Sequence, residues 1–205
     1  MPSEDSYITL STQGEAVYTE KRSKFLAFAQ HVASEDEAKD VVGAYRKKYY
    51  DARHVCYAYI LGDHSERTRA NDDGEPSGSA GQPILRQIVS HGLTYTLVVV
   101  VRYFGGVKLG TGGLAVAYKT AAGDALDMAE TEECIIRSTI KAHVPYTEVD
   151  AAMRLAKRYE ADVLNREYEA NETVLTFAVR QGQYESFRTA LQTIFTIRLE
   201  DSEEV

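Results

Sequence analysis

The chain has 205 residues, 44% of them hydrophobic and 26% charged, enough for one large globular domain or two small ones. Its net charge of −8 disfavours indiscriminate nucleic-acid binding, and neither the part up to Glu130 nor the remainder is basic. No apolar run approaches the roughly 20 residues of a membrane helix, the acidic start Met1-Pro2-Ser3-Glu4-Asp5 does not look like a secretory signal, and the isolated Cys56 and Cys134 suggest neither a disulfide framework nor a zinc site, so a cytoplasmic protein is expected.

Residues 15–20 and 23–32 alternate as two strands joined by the basic turn Lys21-Arg22. Ser34-Glu35-Asp36-Glu37 is a capping box, and Ala38, Val41, Val42 and Tyr45 follow at helical spacing, which predicts a helix over 34–50. A strand is expected at 55–61. The polar segment 62–78 has no apolar period and reads as a long loop, after which Ser79 is available to cap a helix. Pro83 suits that helix's first turn, Ile84, Leu85, Ile88 and Val89 give its apolar face, and Gly92 stops it. A strand at 96–104 and a helix over 111–129 follow. A strand is then read at 135–145, a helix capped by Thr147-Glu148-Val149-Asp150 with Ala151, Leu155 and Tyr159 on one face, strands at 162–169 and 173–180, a helix at 184–195 and a strand at 196–200. That order, β-α-β-β-α-β, is the split βαβ pattern of ferredoxin-like domains. The acidic end from Glu200 to Val205 reads as a frayed tail, and a boundary near 130–133 divides the chain into domains of 1–132 and 133–205.

The apolar run Leu97 to Val101 empties through Arg102-Tyr103-Phe104 into a loop containing Gly105, Gly106, Gly110, Gly112 and Gly113. Thr111 to Gly113 open a helix whose N–H groups point outward with little side chain in the way, and Arg102 and Lys108 stand close by, so the loop is suited to hold an anion. The competing reading is that the glycines only permit positive φ while Arg102 pairs internally with a carboxylate. The specific phosphate motifs fail. After Gly105 and Gly110 the P-loop needs Lys and Ser/Thr, where this chain has Thr111 and Gly112. Gly110 to Ala115 fits G-x-G-x-x-A, but the preceding strand ends too early for a dinucleotide turn.

Asp72, Asp73 and Glu75, set among glycines, pose the choice between a hard metal ion and a turn; aligning Gly74 with an EF-hand glycine puts Arg69 and Ala80 at ligand positions, which excludes that motif and favours a structural loop. His54 and Cys56 share a strand face, so a Cys–His nucleophile is conceivable, although no third residue is placed to orient the imidazole. Lys21, Arg22 and Lys24, and Arg46, Lys47, Lys48 and Arg53, form basic clusters, with Tyr45, Tyr49, Tyr50, Tyr57 and Tyr59 near the second as stacking or packing residues.

The segment from Asp72 to Leu85, DDGEPSGSAGQPIL, followed by Val98 to Gly113, VVVVRYFGGVKLGTGG, resembles the signature of the IMPACT family, whose bacterial members are YigZ-like. Lys21-Arg22-Ser23-Lys24-Phe25 and Ala52 to Ala58 are similar to the same pattern, and the resemblance covers the whole chain. It implies an α+β protein of two domains: a ribosomal protein S5 domain 2-like fold first, a ferredoxin-like domain second. The two folds also look like neighbouring domains of the ribosomal translocase elongation factor, and eukaryotic relatives regulate translation initiation by competing for the activator of a translation-factor kinase, so the resemblance implies an RNA, ribosome or translation-factor partner. The residues it marks are His54, Asp72, Asp73, Glu75, Arg102, Tyr103, Gly105, Gly106, Lys108 and Gly110, to which the helix start adds Thr111, Gly112 and Gly113. It supplies no catalytic residue, and neither cofactor nor metal is expected. The sequence reading is a regulatory binding protein with an anion-binding glycine loop, the second domain extending its contact surface. Its rival is a phosphate- or nucleotide-using enzyme, a small-molecule kinase or hydrolase.

Overall fold

The computed structural model describes residues 5–200, so residues 201–205 of the expected tail lie outside it. The architecture is mixed α/β, and the chain divides into two compact units, residues 7–134 and residues 135–200 with 5 and 6. Among the described residues no helix is long and apolar enough to cross a membrane.

In the first unit β2 (Gly14–Glu20), β3 (Ser23–His31), β4 (His54–Leu61), β5 (Arg67–Asn71) and β6 (Thr96–Tyr103) form an antiparallel sheet in the order β2-β3-β6-β4-β5. Strand β6 is central and covered on both faces, which is why its sequence is continuously apolar rather than alternating. Val98 and Val100 join Phe25, Ala27 and Cys56 in the core beneath α2 (Gly81–Ser90) and α3 (Gly110–Asp127). Leu97, Val99 and Val101 face the other way, into the core of Phe28, Val55 and Tyr59 that α1 (Glu35–Lys48) closes. A pair of short strands, β1 (Ser6–Leu10) and β7 (Thr131–Ile135), forms a separate ribbon, where the sequence reading has no strand at 6–10 and a boundary at 130–133.

Several local readings hold. Lys21 and Arg22 both take positive φ in the two-residue β2–β3 turn. Ser34 Oγ accepts from Glu37 N at 3.2 Å, and Glu37 Oε2 reaches back to accept from Ala33 N at 2.7 Å. Helix α2 ends as expected, with Gly92 in the left-handed region, its N–H donating to Val89 O and that of Leu93 to Ile88 O.

The 62–78 segment is not all loop, because β5 adds to the sheet edge through backbone pairing with β4, and its charged sequence RTRAN hides this. Nor does Ser79 cap α2; its hydroxyl donates to Pro76 O at 2.6 Å. The cap comes from Asp72, whose Oδ1 accepts from Ala80 N at 3.0 Å and Gly81 N at 2.8 Å while Oδ2 accepts from Gly78 N at 2.8 Å. Burial acts to raise the Asp72 carboxyl, but the N–H donors of Gly78, Gly81 and Ala80 outweigh it and hold the pKa below the ordinary carboxylate value.

The second unit has β8 (Arg137–Pro145), α4 (Val149–Arg158), β9 (Asp162–Tyr168), β10 (Glu172–Arg180), α5 (Tyr184–Gln192) and β11 (Arg198–Glu200), with sheet order β11-β8-β10-β9. All its pairings are antiparallel, and Ile140, Ala142, Leu175 and Phe177 pack against Ala152, Ala156, Phe187 and Leu191. The strand read at 135–145 breaks at Ile136, whose N–H donates to Asp5 O and whose carbonyl accepts from Gln181 N, so β7 and β8 have different partners. The cap expected at Thr147 to Asp150 does not form: a 3₁₀ turn, Tyr146–Glu148, leads into α4 without a side-chain cap. The most buried residues of α4 are Ala152 and Ala156, and Ala151, Leu155 and Tyr159 flank them.

Glu200, read as the start of a tail, is fixed in β11. His143 lies between Glu200, 2.7 Å from Nε2, and Glu172, 2.9 Å from Nδ1, with Lys141 on Glu200 and Arg198 on Glu172. The Glu200 hydrogen bond is the largest influence on His143 and, with Glu172, raises its pKa above 6.5 despite partial burial. Hydrogen bonds from His143 are the largest influence on Glu172 and Glu200 and lower both below 4.5.

Two outcomes follow from these contacts. Asp72→Ala leaves three N–H groups at the start of α2 without their acceptor and is expected to lower unfolding stability by about 2 kcal/mol, read by urea denaturation; a loss within experimental error would refute the capping role. The His143 cluster contributes fully between the unfolded carboxylate value of 4.5 and the unfolded imidazole value of 6.5. Its contribution fades as pH rises through the raised His143 value and as pH falls through the lowered Glu values. His143→Gln should remove the alkaline limb from the pH profile of the denaturation midpoint, and an unchanged limb would assign it to other groups.

Candidate functional site

The alternation of β6 sends its last two residues to opposite faces. Tyr103 points to the α1 side, where its hydroxyl donates to Asp51 Oδ1 at 2.8 Å. Arg102 points to the α3 side and is only 6% exposed, so its charge requires a partner. Its Nη1 donates to Glu75 Oε1 at 2.6 Å, and the guanidinium lies 5.5 Å from the Phe25 ring and 5.6 Å from the Phe104 ring. Glu75 Oε1 also accepts from the Tyr118 hydroxyl at 2.8 Å. The internal pairing of Arg102 is therefore present, and the anion reading of the loop has to stand on other cations.

His54 Nδ1 lies 2.8 Å from Asp73 O, a carbonyl that only accepts, so Nδ1 carries the hydrogen and Nε2 is left 3.9 Å from Glu75 Oε1. The Cys–His nucleophile is not assembled. Cys56 is buried against Asp72 O and the Tyr118 hydroxyl, and burial pushes its thiol up, with nearby carboxylates adding to this against the Tyr118 hydrogen bond. Asp72 is occupied by backbone donors, as described above. Asp73 Oδ2 accepts from Val55 N at 2.7 Å and Oδ1 from Arg46 at 2.5 Å. The acidic loop thus serves as a clasp between β4, α1 and α2. Among the described residues, the potential metal ligands that converge are His143, Glu169 and Glu172 of the second unit, and not Asp72, Asp73 and Glu75.

The glycines divide by role. Gly105 meets the β2–β3 turn: a Cβ there would lie 2.0 Å from the Arg22 carbonyl carbon, and its N–H donates to Ser23 Oγ at 3.1 Å. Gly106 and Gly110 occupy the left-handed region and turn the chain into α3. The first turn of α3 has no side-chain cap and no acidic residue, and nothing stands within 4 Å of where a Cβ of Gly110 or Gly112 would be. Its first N–H groups lack intrahelical partners, and Gly110, Thr111 and Gly112 are exposed.

Of the thirteen residues singled out in the sequence, His54, Glu75, Arg102, Lys108, Gly110 and Thr111 line one cleft of about 350 Å³. Tyr103, Asp72, Asp73, Gly105, Gly106, Gly112 and Gly113 do not line it; they pack beneath it, shape its loops or face elsewhere. Arg53, Phe104 and Leu114 join the lining. Arg53 sits in the basic cluster legible in the sequence, and Phe104 ends the Arg102-Tyr103-Phe104 triplet. The rest of that cluster is structural: Arg46 pairs with Asp73, Lys48 lies over the Phe28 and Tyr49 rings, and Arg46 to Lys48 complete the last turn of α1. Tyr45 and Tyr49 stack on Phe28 and Tyr59 is buried, which leaves Tyr50 as the exposed tyrosine of the group.

Residues 21–126, a span containing every cleft residue, match the family model of the Impact N-terminal domain. The chain is 40% identical to the IMPACT family member YvyE of Bacillus subtilis over 122 residues, 60% of this chain and 56% of that protein. It is 31% identical to an IMPACT family member of Haemophilus influenzae over 173 residues, 83% of this chain and 84% of that one. The crystal structure of a hypothetical protein aligns over 99% of this chain and 100% of that one, at 29% identity and a TM-score of 0.72. By the match across half its length and by a relative paired along most of both chains, this protein belongs to the IMPACT family.

Proposed function

We propose that the chain is a non-enzymatic, cytoplasmic binding protein in the regulation of translation, and that it takes a phosphate group of an RNA partner into the cleft of the first unit. Family membership supports the link to translation. The observation that carries the binding site is the meeting of Lys108 and Arg53, both exposed, with the uncapped start of α3 around one cleft. Arg102 adds little net charge because Glu75 offsets it. The order β11-β8-β10-β9 supports a ferredoxin-like second domain, and the β2-β3-β6-β4-β5 sheet with helices on both faces supports an S5 domain 2-like first domain, divided near residue 132.

The sheet face that carries His143 sets Asp162, Glu167, Glu172 and Glu200 against Arg137, Lys141, Arg180 and Arg198, so its charges are mixed rather than a basic track. The enzyme reading keeps one specific observation, the His54 ring held by Asp73 O with Nε2 left beside the cleft. Release of inorganic phosphate from a nucleotide, lost in His54→Ala, would establish it.

Affinity for a short single-stranded RNA, measured by fluorescence anisotropy across a salt series, tests the binding reading. Lys108→Ala and Arg53→Ala should each weaken binding several-fold and reduce the salt slope by about 0.7 per lost phosphate contact. Wild-type affinity and slope in both variants would remove the cleft from RNA binding.

A further inference from the structure

We infer that the cleft is built for a single nucleotide bearing a terminal phosphate, with the phosphate at the α3 start and the base on Phe104; this rests on the reading of the cleft as an anion site. The ligand chemistry is a phosphomonoester next to a ribose and an aromatic base. A free mononucleotide and the phosphorylated 5′ end of a single RNA strand both supply it.

Four features of the cleft select that ligand over the interior of a strand. Its volume of about 350 Å³ lies in the range of small-molecule sites, roughly 300–1,000 Å³, and accommodates one nucleotide rather than a run of them. Its charge matches a terminal phosphate. With Arg102 offset by Glu75, the lining cations left without an ion-pair partner among the described residues are Arg53 and Lys108, and a phosphomonoester carries about −1.5 to −2 at neutral pH against −1 for each internal diester. A long run of diesters needs a continuous basic track, and a net charge of −8 works against its approach.

The third feature is Phe104, which lines the cleft at 47% exposure with the Arg102 guanidinium 5.6 Å from its ring. Such an aromatic side chain is a stacking platform for a base. The fourth is an orphan donor. Among the described residues Arg102 Nε is buried without a hydrogen-bond partner, and Arg102, 6% exposed, belongs to the cleft lining. Buried donors of this kind are rarely left unmatched, and an anionic ligand beside Arg102 supplies an acceptor.

Calorimetric titration of the full chain with inorganic phosphate, adenosine, adenosine monophosphate and short oligoadenylates, each with and without a 5′-phosphate, tests the inference. Adenosine monophosphate should bind about tenfold tighter than phosphate, and Phe104→Ala should abolish that advantage, costing nucleotide affinity more than phosphate affinity. Lys108→Ala should weaken both. The chain contains no tryptophan, so Phe104→Trp places a single indole at the cleft, and its emission should be quenched by the nucleotide and not by phosphate. Equal binding of a 5′-phosphorylated oligonucleotide and the mononucleotide identifies a strand end as a ligand, and preference for the mononucleotide identifies the free form; either supports the inference. Equal affinities for phosphate and nucleotide, or equal binding of 5′-hydroxyl and 5′-phosphorylated strands, would overturn it and leave the anion site standing. Failure of phosphate, nucleotide and RNA alike to bind would overturn the anion site as well.

Discussion

The ion pair between Arg102 and Glu75 is the contact on which the site depends. Both groups lie below a tenth exposure, and a guanidinium removed from water costs several kcal/mol unless a well-placed anion and further hydrogen bonds offset it. Glu75 supplies the anion, Tyr118 donates to the same carboxylate oxygen, and the Phe25 and Phe104 rings lie within cation–π range of the guanidinium. Glu75 can do this only if its loop is fixed. Asp72 ties the loop forward to the start of α2, and Asp73 ties it back to β4 and α1, so two carboxylates that look available for a ligand are spent on placing a third.

This arrangement decides where positive potential is left. The pair makes the cleft floor close to neutral, and the exposed charge moves to Lys108 and Arg53 on the lining. The uncapped start of α3 adds a fixed partial charge that needs no side chain. Glycine keeps that end open. A capping Ser or Asp at the position of Leu109 would satisfy the same N–H groups internally, and an acidic residue in the first turn would cancel the dipole; the sequence has neither.

What was legible in the sequence follows a physical divide. Signals written within a few residues were readable: the capping box at Ser34, the Gly92 helix stop, the continuous apolar run of a strand buried on both faces. Features made by partners distant in sequence were not. Strands β1, β5 and β7 have five residues each and are defined by what they pair with, and Asp72 caps a helix that begins nine positions later. At Thr147 a local capping signal is present but unused, because a 3₁₀ turn takes its place. In the site, alternation along β6 separates Arg102 from Tyr103 and was available to assign them to opposite faces. Whether Arg102 was free or paired was not, since that rests on Glu75, 27 residues away, folding back over the strand.

A small basic cleft in an acidic protein also sets what reaches it. The net charge of −8 repels an approaching polyanion over a Debye length of about 10 Å, whereas the attraction inside the cleft acts at contact range and is screened less. A long nucleic acid meets the repulsion with many charges and gains the attraction with few. A compact anion meets little of the first and all of the second. The same charge distribution therefore favours ligands whose negative charge is concentrated at one point, and it does so through the acidic remainder of the surface as much as through the two cations in the cleft.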